Sequence, residues 1–408
     1  MFAAATQCVG MSDDKLKQEM TRRGFLEAAG AGVLGATLAG RADGRVPRAA
    51  RELLVYVGTY TSGKSVGIYH YRLDLGDGSL KLAAMTEGVA NPSYLTIDRT
   101  RRRLYSVNEV DEFEGAPGGA VSAFEIEPKS GALRFINRRS SKGGSPCYVT
   151  TAASGRFVLV ANYMGGNVAV LPVSRDGSLG EATQVEQFKG SGPNRERQEA
   201  PHAHCVMLDS ANEYAYACDL GTDRVMAYRY DRGSGKLTPA EQASASLKPG
   251  AGPRHMDFNP DGRFAYVLNE LDATLTTFER FRVTGALKAL ETIPTLPADF
   301  KGTNTSADIH VAPGGKFLYC SNRGHDSIAA FRIHPGTGRL TPLGRTPTGG
   351  KNPRNFAIDP TAQFLLVANQ HSDNVVTFRI DPRTGALSPT GHEAEVPTPV
   401  CLKLTTPL

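Results

Sequence analysis

Four residues of this 408-residue chain, His204, Arg254, Glu270 and Arg323, have the types needed to handle an anionic substrate that carries an ester or a carboxylate. A guanidinium presents a planar fork of donors, so Arg254 and Arg323 suit a carboxylate, a phosphate or a developing oxyanion. Glu270 can draw a proton from water, and His204 can relay one to or from a ring oxygen. His202, His255, Glu109 and Arg354 are further candidates for holding the substrate. Each also has a structural explanation. His202 and His204 alternate along a strand, so one is expected to face the site while the other packs as a hydrogen-bonded core histidine. The carboxylates can tie loops through backbone amides, and the arginines can pair with them in an ion-pair network that stabilises the fold and nothing else.

An internal repeat positions these residues. A turn of the Gly-x-Leu kind follows a β run at Gly78, Gly131, Gly177, Gly235, Gly285, Gly338 and Gly385, with spacings of 46 to 58 residues. That is the length of a four-stranded propeller blade. A second signature runs in step with the first: Asn108, Asn162, Asp219, Asn269, Asn322 and Asn369 each end a strand such as 103–107 or 364–368. Ten residues before each lies a turn such as Asn259-Pro260-Asp261-Gly262, returning from an innermost strand. The first blade lacks an inner strand of its own. Residues 399–404 read as that strand, pairing with 53–60 and closing the ring, which removes an exposed edge. The expected fold is all-β, a seven-bladed β-propeller at 51–408.

In such a blade the first strand runs one way and the second returns, so the start of one and the end of the other share a face. Aligning the repeats therefore gathers two rings around the channel mouth. Ser93, Cys147, His204, Arg254, Ala307 and Arg354 start the inner strands; Glu109, Tyr163, Leu220, Glu270, Arg323 and Gln370 follow the second strands. The long irregular segments 111–119, 189–200 and 294–306 belong to the same face and can line a pocket. The Asn/Asp set recurs in nearly every blade, which marks it as a strand-end device and not a single site.

Several function classes are excluded. A formal charge of +5 with dispersed Lys and Arg gives no stripe for nucleic acid. Six cysteines (Cys8, Cys147, Cys205, Cys218, Cys320, Cys401) form no CxxC pair, so no zinc site or disulfide framework is signalled. The mouth is richer in Arg and His than in carboxylates, which opposes calcium, and no cofactor or metal is expected. Gly30-Ala31-Gly32-Val33-Leu34-Gly35 fits GxGxxG, but no strand precedes it and no βαβ unit follows.

The hexapeptide lies instead in an export segment. Thr21-Arg22-Arg23-Gly24-Phe25-Leu26 precedes a mild Ala/Gly-rich stretch at 28–40 and a polar linker, resembling a twin-arginine signal spanning 1–50 with its linker. Its apolar run is too short to span a bilayer. The export machinery is thus an expected partner, the periplasm the expected destination, and stable membrane insertion is not expected after cleavage.

The segments Val57-Gly58-Thr59-Tyr60-Thr61, Asn91-Pro92-Ser93-Tyr94-Leu95, Ala161-Asn162-Tyr163, Pro201-His202-Ala203-His204, Gly252-Pro253-Arg254-His255, Leu268-Asn269-Glu270-Leu271, Ser321-Asn322-Arg323-Gly324 and Val367-Ala368-Asn369-Gln370 together resemble the propeller-type lactonase family. That family includes bacterial 6-phosphogluconolactonases and a fungal carboxymuconate cyclase. The resemblance implies the seven-bladed fold, and it implies His204, Arg254, Glu270 and Arg323 as the site. It further implies hydrolysis of a sugar-acid or related lactone, with Glu270 or His204 activating water and the arginines stabilising the oxyanion. Export favours a non-phosphorylated lactone. A carboxymuconate-type cyclase and a non-catalytic ligand- or protein-binding propeller are the alternatives.

Overall fold

The computed structural model describes residues 51–408. The expected export segment at 1–50, with its twin arginines, its glycine-rich hexapeptide and Cys8, lies outside the described residues. Among the described residues every regular element is a β-strand, and no helix is long and apolar enough to cross a membrane.

Seven antiparallel four-stranded sheets are the blades. Blade I has Pro399–Thr405 innermost, then Glu52–Thr59, Gly67–Asp74 and Leu80–Glu87. Blades II to VII each take four strands in chain order, with inner and second strands as follows. They are Leu95–Ile97 and Arg103–Asn108 in II, Pro146–Thr151 and Phe157–Asn162 in III, and Ala203–Leu208 and Tyr214–Asp219 in IV. In V they are Pro253–Phe258 and Phe264–Asn269, in VI Thr305–Val311 and Phe317–Arg323, and in VII Pro353–Ile358 and Phe364–Asn369. Inner strands touch in cyclic order from I to VII and back to I. Closure is by the C-terminal strand as the repeat predicts: Leu54 pairs with Thr405, Val57 with Leu402 and Thr59 with Pro399.

The second strands are buried except for Glu52, Arg103 and Arg323 at strand ends because neighbouring blades cover both faces, which suits runs such as Phe-Leu-Leu-Val-Ala with no polar alternation. The Gly-x-Leu turns lock each blade to the one before it. At Gly385, where φ is 77°, a Cβ would lie 2.6 Å from the Phe317 ring of blade VI, and the Gly385 carbonyl accepts the Tyr319 hydroxyl at 2.9 Å. Glycine is required there both for the left-handed backbone and for the close approach. Tyr56, Tyr105, Tyr216 and Tyr266 repeat that hydrogen bond to Gly131, Gly177, Gly285 and Gly338.

The strand-end residues act as the sequence implies. Asn162 Nδ2 donates to the Ser141 carbonyl at 2.8 Å, Asn369 Nδ2 to Thr348 at 3.2 Å, and Asp219 accepts the His202 amide at 2.7 Å. Each thus ties a second strand to the connection that precedes its blade. The five described cysteines are buried and free. Segment 111–119 contains a small ribbon, Glu112–Phe113 with Ala116–Pro117, and the end of 294–306 is already inner strand in blade VI.

Candidate functional site

In blades III to VII the inner strands do not enter the ring as regular strands. Pro146 pairs with Asn162 but Tyr148 with Ala161, leaving Cys147 as an extra residue. The same slip isolates His204 between Ala203 and Cys205, Arg254 between Pro253 and His255, and Arg354 between Pro353 and Asn355. A β-bulge re-aims the side chain of the unpaired residue and breaks the alternation of faces. Adjacent residues therefore address one space: Arg254 Nη1 donates to His255 Nε2 at 3.2 Å, although a regular strand would send these side chains to opposite faces.

Three arginines converge on Glu270. Arg254 Nε lies 2.9 Å from Oε2, Arg323 Nη2 3.1 Å from the same oxygen, and Arg197 Nη2 donates to Oε1 at 2.7 Å. Arg254 also donates through Nη1 to the Ala307 carbonyl, and Arg323 through Nη2 to the Ser306 carbonyl at 3.1 Å. Burial alone would raise the Glu270 pKa, but Arg323, Arg254 and Arg197 outweigh it and hold the carboxyl at about 2. Arg254 Nε and Arg323 Nε are buried donors without a hydrogen bond of good geometry, so the Arg254–Oε2 contact is one of charge.

Arg197 was not among the residues singled out from the sequence. It comes from the 189–200 connection, is partly exposed, and also donates to the Tyr163 hydroxyl at 3.3 Å. Tyr163 links this arginine to the histidines. Its ring stacks on His202 at 4.3 Å and meets His204 edge-on at 5.5 Å. His202 packs as a bonded histidine, with Nδ1 on the Tyr163 carbonyl at 3.1 Å and Nε2 facing Glu199 at 3.0 Å.

His204 faces inward against His255, at 5.2 Å between rings. Its Nδ1 lies 3.6 Å from Cys147 Sγ. The thiol has the carbonyls of Ala203, His204 and Ala161 as acceptors at 3.6 to 3.9 Å, so Sγ can receive the Nδ1 proton while its own goes to a carbonyl. In that arrangement the lone pair is on His204 Nε2; the same geometry also admits the thiol as donor to Nδ1, with the proton on Nε2. Burial first, and then Arg254 and His255, push the His204 pKa well below the ordinary histidine range, so the ring is neutral near pH 7.

Glu109 and Arg354 form a second cluster, joined by Tyr60. The Tyr60 hydroxyl donates to Glu109 Oε1 at 2.9 Å and accepts from Arg354 Nη2 at 2.8 Å, with the guanidinium 5.4 Å from the ring centroid. Ser93 Oγ bonds Glu109 as well. Tyr60 too was missed; its place just past the second strand of blade I made it the seventh member of the outer ring. Burial chiefly raises its pKa, so it is a phenol. The two clusters sense each other, since Arg354 and Arg254 both act on Cys147 and Arg354 on Arg323. Arg197, Arg254, Arg323 and Arg354 face Glu109 and Glu270, an excess of positive charge suited to an anion or a developing oxyanion. Among the described residues no group of three or more His, Cys, Asp or Glu side chains is arranged to hold a metal ion.

Residues 54–404 match the model of a family described as lactonase, seven-bladed β-propeller. The chain is 39% identical over 304 residues to the 6-phosphogluconolactonase of Bacillus subtilis, covering 74% of this chain and 84% of that one. It is 34% identical over 315 residues to the 6-phosphogluconolactonase of Formosa agariphila, covering 75% and 86%. Among solved structures, the periplasmic gluconolactonase of Pseudomonas aeruginosa superposes with a TM-score of 0.82 at 37% identity, over 88% of this chain and 100% of that one.

Proposed function

The chain belongs to the seven-bladed β-propeller lactonase family, and from that membership we propose that it is a carboxylic ester hydrolase that opens a sugar-acid or related lactone at the Arg254–Glu270–Arg323 mouth. One observation carries the assignment of the site: a buried guanidinium donor, Arg323 Nε, has no acceptor beside a cluster with surplus positive charge. Burying a donor without an acceptor costs about 1–3 kcal/mol, a cost a lactone oxyanion would remove as it forms.

Water attacks the acyl carbon, and its proton passes to His204 Nε2. Negative charge moves to the carbonyl oxygen, where Arg254 and Arg323 stabilise it. When the tetrahedral species collapses, the bond from acyl carbon to ring oxygen breaks and His204 returns the proton to that oxygen, giving the open hydroxy acid. Glu270 holds the arginines in position. Both Glu270 oxygens are engaged by guanidinium groups, which commits that carboxylate to positioning, so in this reading the proton of water goes to the neutral His204 ring. Glu109, Tyr60 and Arg354 face the remainder of the substrate with an acceptor, a hydroxyl and a cation.

Arg22 and Arg23 direct export by the twin-arginine route in this reading, and the mature enzyme works in the periplasm on a non-phosphorylated lactone. The likeness to a periplasmic gluconolactonase supports that destination. The test is acid release from a panel of gluconolactone, its 6-phosphate and other sugar-acid lactones, run beside absorbance loss of carboxymuconate. Turnover of a sugar-acid lactone is expected; turnover of carboxymuconate alone would make the chain a cyclase, and silence in both assays a binding module.

A further inference from the structure

Below the arginine cluster a buried carboxylate belongs to none of the groups assigned above. Asp308, 1% exposed on the inner strand of blade VI, divides its two oxygens between different partners. Oδ1 faces His255 Nδ1 at 2.8 Å. Oδ2 accepts from His310 Nε2 at 3.0 Å, from the Phe356 amide at 3.3 Å and from Asn355 Nδ2. His255 sits between Asp308 and Arg254, in a box made by the rings of His204, Tyr94 and Tyr148 at 5.2 to 5.7 Å. The imidazole plane is therefore set by packing, leaving the position of its proton as the free variable.

Asp308 decides that variable. Arg254 Nη1 is a donor only, so His255 Nε2 must be bare to receive it, and the proton must lie on Nδ1. A carboxylate at Oδ1 enforces that tautomer because it can only accept. We infer that Asp308 is a positioning residue: it fixes the Nδ1–H tautomer of His255, whose bare Nε2 then aims the Arg254 guanidinium at Glu270 and the reacting carbonyl. Directions of titration agree. Burial would raise the Asp308 pKa, but His310 and His255 hold it well below the usual carboxylate range. Burial and Arg254 take His255 down to about 3, so the ring is neutral.

Asp308→Asn is nearly isosteric and reverses the instruction. Its amide oxygen is claimed by His310, Phe356 and Asn355, which turns the NH2 group toward His255 Nδ1. The proton must then move to Nε2, where it meets the Arg254 donor. Two readouts follow. By nitrogen NMR of ring-labelled histidine at neutral pH, the wild-type chain shows His255 protonated on Nδ1 and bare on Nε2, and Asp308→Asn shows the reverse. Kinetically, Asp308→Asn lowers kcat about 10- to 100-fold, the scale expected for a displaced catalytic group, with KM changed by no more than about threefold. In a His255→Gln background, where the Gln carbonyl can receive Arg254 without Asp308, the same substitution costs no more than about threefold, a coupling that general destabilisation would not produce.

The kinetic arm rests on the lactonase reading; the tautomer arm does not, so a chain inert on every lactone still decides the inference by NMR. Nε2 protonated in the wild type, the same tautomer in both chains, or equal kinetic cost in both backgrounds would overturn it. If Asp308→Asn does not fold, His255→Leu against His255→Gln replaces it. About tenfold lower turnover is expected for Leu, and equal turnover refutes the role.

Discussion

Replacing Glu270 by Gln removes one negative charge from beneath three guanidinium groups, and its consequences can be worked from the site. In the fold the carboxyl titrates at about 2, against 4.5 for a free glutamate side chain. That gap corresponds to about 3 kcal/mol in favour of the folded, ionised state. Because the folded pKa is the lower one, this contribution is complete above pH 4.5 and is lost as pH falls toward 2. With side-chain exposure of 4%, solvent screening does little to reduce it. Glu270→Gln should thus lose about 3 kcal/mol at neutral pH, on the order of 4 °C in Tm for a domain of this length. Turnover should fall much further. Arg254 and Arg323 would repel each other and leave the oxyanion position, and loss of one positioned donor already costs on the order of 10²-fold or more. The assay pairs kcat on the best lactone with thermal unfolding from about pH 2 to 8. Near-parental kcat with a lowered Tm would reduce the cluster to an ion-pair network between blades. An unchanged Tm, or an acid-side stability loss identical in both proteins, would refute the electrostatic account.

Further outcomes are expected elsewhere in the chain. His204→Gln should remove most of the turnover together with the acid limb of kcat/KM, which in the wild type lies below the ordinary histidine range because the base must be neutral; an acid limb that persists unchanged would assign the base elsewhere. Deleting 399–408 takes the innermost strand from blade I and opens the ring, so the truncated chain should lose cooperative unfolding near the parental Tm instead of shedding a tail. Arg22→Lys with Arg23→Lys should leave precursor in the cytoplasm, read by fractionation, and unaltered export would refute the twin-arginine assignment.

The ring was legible because it repeats. Glycines that must be glycines, as at Gly385, and strand-end residues that must bond the preceding connection recur at blade length, so seven blades and the closing strand follow from alignment alone. Alignment also assigned His204, Arg254, Glu270, Arg323, Glu109 and Arg354 to one face, and those residues do gather at the mouth. What it could not supply was pairing. Arg197 reaches Glu270 from a connection without periodicity, and Tyr60 joins Glu109 to Arg354 across the closure between blades VII, I and II. Such contacts depend on which blades become neighbours at the mouth and on loop paths, neither of which leaves a local pattern.

The inner strands expose a deeper limit. Strict alternation would put His202 and His204, two residues apart, on one face and would send Arg254 and His255 to opposite faces. Instead His202 lies ahead of its strand against Tyr163 and Glu199 while His204 is the unpaired residue that turns inward, and Arg254 touches His255. The reason is the extra residue at the start of the inner strand in blades III, IV, V and VII, where Cys147, His204, Arg254 and Arg354 have no partner opposite. An unpaired residue gives up its place in the ladder, and the same slip frees its side chain to point into the channel while its successor does so too. Blade VI slips as well, between Ser306 and Ile309, and there the inward residue is Asp308. The bulges therefore bring a mouth layer of arginines onto a layer below that contains His255 and Asp308. A propeller with regular inner strands could offer each blade's chemistry only at every second residue, and Arg254 would have no histidine beneath it to set its aim.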